Sequence, residues 1–248
     1  MNLYPSKRPR TISEVLDAAF QIFKVTFLKG LFYGVLAMLA GQTQNIYDVA
    51  TGRPLQQFGG GDARWWVFYV LGACVSLMMW SALLIRQSAI LEGRPVSLRS
   101  ELSLAARRLP AVVVAVIVGI AAIALGIVLL VVPGIYLLVG LSFTVPTILF
   151  SGKGPIAGSK YSLQLVRNNW IRSFTVYAVG LSALLVFYLL AFTLVAVLLP
   201  FAGAGDVAVV TAFSAVVVVI LGAVGAPFIC GLIIALYADL QERHLPPA

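Results

Sequence analysis

Three kinds of chemistry can be asked of this chain, and the residues for two of them are missing. Metal-assisted hydrolysis needs clustered carboxylates and histidines around an ion that activates water, yet His244 is the only histidine. Cys74 and Cys230 each lie inside an apolar run, so neither a zinc site nor a disulfide framework is indicated. They read as small buried hydrophobes. No Asp, Glu, Lys, Arg or His falls near the middle of any long apolar run. That argues against coupled transport through a buried carboxylate and against intramembrane proteolysis by paired aspartates. The third chemistry, holding a phosphate, does have candidates. Arg167, Asn168, Asn169, Trp170 and Arg172 form the densest polar cluster, with Lys160 two turns earlier and Arg107 and Arg108 as a second basic pair. Guanidinium forks match phosphate oxygens, and amides can complete the shell. No metal or cofactor is implied.

The elements that must position these residues are membrane helices. The charged fraction is 10% and the hydrophobic fraction 61%, against about 25% charged in ordinary soluble domains. Crossing the hydrocarbon core takes about 20 apolar residues of helix. The apolar runs place spans over about 25–41, 65–85, 111–132, 135–150, 173–199 and 207–236. The fold class is an all-α integral membrane protein: one polytopic domain over residues 11–243 with short tails at 1–10 and 244–248. Glu14 and Asp17, in what would be the n-region, argue against a cleaved signal peptide.

Three stretches combine an apolar with a basic or polar face: 11–24, 97–109 and 155–170. Such helices lie in the membrane–water boundary, so each is expected to be an elbow feeding a span. Thr11 and Glu14 have capping-box spacing. Gly30 and Gly34 have the spacing that allows close helix contact. Pro110 is placed at the start of the third span, residues 132–134 as a tight turn, Pro146 as a kink, and 42–64 as a long loop ended by the interfacial Trp65 and Trp66. Residues 207–236 are too long for one bilayer crossing, so tilt, a break at 225–227 or extension out of the membrane is expected. Each elbow begins near a serine and precedes a glycine-bearing span, which suggests three repeated hairpin units.

The net charge is +8, but the placement of the charge points away from nucleic acid. With termini and elbows on one side, every Lys and Arg except Arg53 and Arg64 falls there. The positive-inside tendency makes that side cytoplasmic, with both termini inside.

The series Arg10-Thr11-Ile12-Ser13-Glu14 with Leu16-Asp17, then Val132-Pro133-Gly134-Ile135-Tyr136, the run from Ser162 to Trp170, and Leu236-Tyr237-Ala238-Asp239-Leu240 resembles the membrane domain of bacterial glycerophosphoryl diester phosphodiesterases and related six-span proteins. The resemblance implies a multi-pass protein of the bacterial cytoplasmic (inner) membrane. It transfers no activity, because in that family catalysis resides in a fused barrel that these 248 residues do not contain. The expected function is therefore non-enzymatic: a module that meets anionic membrane phospholipid, or a membrane or cytoplasmic protein partner, through its basic elbows. A carrier or flippase for a lipid or small amphiphile is the competing expectation.

Overall fold

The structure, a computed structural model, describes residues 9–52, 62–95, 97–198 and 207–244. Among them run α1 (Ile12–Ala40), α2 (Thr43–Ala50), α3 (Ala63–Leu91), α4 (Leu98–Leu129), α5 (Val131–Leu141), α6 (Thr144–Ser151), α7 (Pro155–Arg167), α8 (Trp170–Leu198) and α9 (Val207–His244), with no strand among the described residues. Six helical stretches are long and apolar enough to cross a membrane: α1, α3, α4, α5 together with α6, α8, and most of α9.

The core surrounds the second half of α9. This helix has 38 residues, about 57 Å at the helical rise, and residues 221–240 are buried or half-buried throughout. α1 runs along it, α3 packs on both, and α6 and α7 close around its last turns. Small residues permit the approach. A Cβ on Gly34 would stand 2.6 Å from the Ala223 carbonyl oxygen, and one on Gly231 would stand 3.1 Å from that of Ala19. The glycine spacing of α1 thus does what close packing requires.

Two of the anticipated elbows are not separate helices. α1 begins with the Thr11–Glu14 capping box, as its spacing requires, and continues unbroken past residue 24. Its apolar stripe of Val15, Ala19 and Ile22 is buried against α9 rather than facing lipid. The physical reason is close approach: at Gly231 the α9 backbone comes so near Ala19 and Ile22 that a Cβ would stand 3.1 Å from the Ala19 carbonyl oxygen, so this stripe meets α9. Likewise α4 runs through Pro110, which lies inside the helix and opens nothing.

The breaks fall beside the prolines. α4 ends at Leu130, whose backbone is extended, and Pro133 sits in the first turn of α5. Gly126 and Gly134 bring α4 and α5 together: a Cβ on Gly126 would lie 3.0 Å from the Gly134 backbone. Between α5 and α6 the helix stops at Ser142 and Phe143, and Pro146 occupies the first turn of α6, where a missing N–H costs nothing. The gap is bridged from α7: the Ser162 hydroxyl donates to the Gly140 carbonyl at 2.6 Å and accepts the Phe143 N–H at 3.1 Å. Pro227 lies inside α9 without ending it. Its carbonyl accepts from the buried Gln87 amide at 2.9 Å, which also donates to Thr26 at 3.0 Å.

The expected loop at 42–64 contains α2, whose buried Asp48 accepts from the Trp65 indole at 3.2 Å. Trp65 is therefore packed rather than lying open at the boundary.

Candidate functional site

α7 ends at Arg167 because Asn168 and Asn169 fold their N–H groups back onto the Val166 carbonyl. α8 begins immediately afterwards, with Asn169 accepting both the backbone N–H of Ser173 at 2.9 Å and its hydroxyl at 3.0 Å. The two-residue break turns the polar end of α7 and the first turn of α8 toward one another. Between them lies an open groove of about 530 Å³. Its lining combines the polar Arg167, Asn168, Arg172 and Thr175 with the apolar Ile12 and Ile171.

The walls are held from behind. Trp170 stacks between Tyr136 and Phe174, at ring separations of 5.8 and 5.3 Å, and its indole N–H donates to the Tyr136 carbonyl at 3.3 Å. Arg172 donates through Nε to Asp239 at 2.9 Å and through Nη2 to the Arg10 carbonyl at 2.5 Å. Arg243 does the same from α9, at 3.0 and 2.7 Å. The Arg10 N–H closes the ring on the second Asp239 oxygen at 2.8 Å. The Asp239 side chain is fully buried, so its charge stays compensated by two guanidiniums and a backbone donor.

The chain matches no protein-family model, no curated protein and no solved structure.

The anticipated phosphate ligands therefore divide. Arg167, Asn168, Asn169, Trp170 and Arg172 all line the groove, but only Arg167 offers an uncommitted charge; among the described residues it makes no ion pair or hydrogen bond. Arg172 is engaged with Asp239, and Trp170 serves as a wedge against α5. Lys160 is exposed on the outer face of α7, two turns before Arg167. Arg107 is exposed on α4, whereas Arg108 donates to the Gly152 carbonyl at 3.2 Å. That places a cation at the C-terminal end of α6, where the helix dipole favours it. Neither arginine belongs to the groove.

Sequence reasoning missed three groups. Asp239 was visible as the first acid after a long apolar run, a position that calls for a partner. Glu101, also fully buried, accepts from Arg86 at 2.7 Å and from the Tyr33 hydroxyl. Ile12 gave no signal, since its apolar neighbours suggested a lipid face.

Proposed function

We propose that this protein is a non-enzymatic module of the bacterial cytoplasmic membrane that engages anionic phospholipid through its basic side, in the manner expected of the membrane domains it resembles. In this reading the three units form repeated hairpins, both termini are cytoplasmic, and α7 lies at the headgroup level. One observation carries it: Lys160 and Arg167 are exposed on α7 beside Ile156 and Ile171, which are 65% and 75% exposed. Cations next to bare isoleucines suit a surface that meets phosphate above and acyl chain below. Each Lys or Arg near an anionic leaflet adds about 1 kcal/mol of attraction.

The test is the lipid that accompanies the purified chain from a membrane of known composition. Anionic lipid should be enriched over the bulk membrane, and joint replacement of the exposed Arg107, Lys160 and Arg167 by glutamine should abolish the enrichment. An unenriched wild type would refute the reading. Lipid movement between leaflets of reconstituted vesicles would favour a carrier instead.

A further inference from the structure

We infer that the groove between α7 and α8 is a selective site for a single anionic glycerophospholipid, with its phosphodiester on Arg167 and an acyl chain descending along Ile171. This rests on the phospholipid reading above and narrows it to one place and one headgroup class.

The argument begins with charge. Asp239 sits behind Arg172 and is bonded to Arg172, Arg243 and the Arg10 backbone. Among the described residues no carboxylate lines the groove itself. An ammonium-bearing headgroup would meet guanidinium and amide with no acid to receive it. A phosphodiester without a counter-cation meets Arg167, whose planar fork suits paired phosphate oxygens. The exposed Asn168 can pair with a headgroup hydroxyl through its amide.

Shape gives the rest. The open groove, about 530 Å³, has room for a headgroup and its glycerol. Beyond the groove, α8 continues past Ile171 with the exposed Phe174, Ala178 and Val179, an apolar track that starts where the headgroup ends. The walls are already in place before any lipid arrives, because Trp170 is stacked and Arg172 is clamped. Preorganised walls reduce the ordering cost of binding. This distinguishes the groove from Arg107 and Lys160, which stand singly on exposed helix faces.

The experiment incorporates the full chain into vesicles of equal parts phosphatidylglycerol and phosphatidylcholine, then counts retained lipid by native mass spectrometry after extraction. Wild type should retain one phosphatidylglycerol. Arg167→Gln should weaken that retention about tenfold, Arg167→Lys should weaken it less, and Arg107→Gln should leave it unchanged. Thermal unfolding of Arg167→Gln should match wild type, since its side chain makes no bond among the described residues. If Arg167→Gln retains phosphatidylglycerol like wild type while anionic enrichment persists, the groove assignment falls and the broader reading stands. If wild type shows no preference between the two lipids, both fall. Displacement of the lipid by glycerol 3-phosphate alone would assign the groove to a soluble phosphate ester and overturn the acyl-chain part.

Discussion

α8 and α9 are both long and apolar enough to cross a membrane, yet 6% of the membrane-length stretch of the first is buried and 50% of the second. Apolarity therefore does not choose the core of this protein. In lipid, leucine gains little by moving from acyl chains to a neighbouring helix, and association depends on close backbone approach. α9 is rich in small residues where it is buried: Ala223, Gly225, Ala226, Gly231, Ala235 and Ala238. α8 carries bulkier leucines, valines and phenylalanines, and after Gly180 no described residue of it is buried. It meets α9 through a narrow stripe that includes Leu184 and Tyr188, whose hydroxyl donates to the Leu221 carbonyl at 3.1 Å.

The contrast has a second half. Where α8 is held, at its start, a buried ion pair joins the apolar contacts of Trp170 and Val176: Arg172 reaches Asp239 on α9. The largest effect should therefore come from Asp239→Ala. It strands Arg172 and Arg243 together without their carboxylate and should cost about 3–5 kcal/mol, read as a loss of thermal stability in detergent or nanodiscs. Next comes Gly34→Leu, which drives a side chain into the Ala223 backbone and should cost about 1–3 kcal/mol. The smallest is Leu190→Ala on α8, at a residue 67% exposed. It should change stability by less than about 0.5 kcal/mol. A large loss at Leu190 would mean that α8 is packed against something other than lipid, and an innocuous Gly34→Leu would remove close approach as the explanation of the core.

Much of the helical framework was legible. Long apolar runs with almost no charge can only be membrane helices, the Thr11–Glu14 spacing marks a helix start, and Gly30 with Gly34 marks a contact face. The boundaries were less legible. Amphipathic stretches at 11–24 and 97–109 look interfacial, and a stripe of Val15, Ala19 and Ile22 has the same periodicity whether it faces lipid or α9. Proline positions were informative only to within a few residues, because Pro133 and Pro146 are accommodated in first turns and the chain breaks just before them. Of the candidate site, Arg167, Asn168, Asn169, Trp170 and Arg172 line one groove, a proximity that follows from their closeness in sequence. Their division of labour was not legible, since Arg167 and Arg172 are alike in sequence context.

Composition and spacing alone determined that the described chain is a set of membrane-length helices with a basic cluster between two of them. Which helix lies at the centre, and which arginine remains available to a ligand, were decided only when α8 and α9 came together. Arg172 and Asp239 are 67 residues apart, and whether a guanidinium meets a carboxylate at that separation depends on how two helix ends pack. Local periodicity carries no information about that distance.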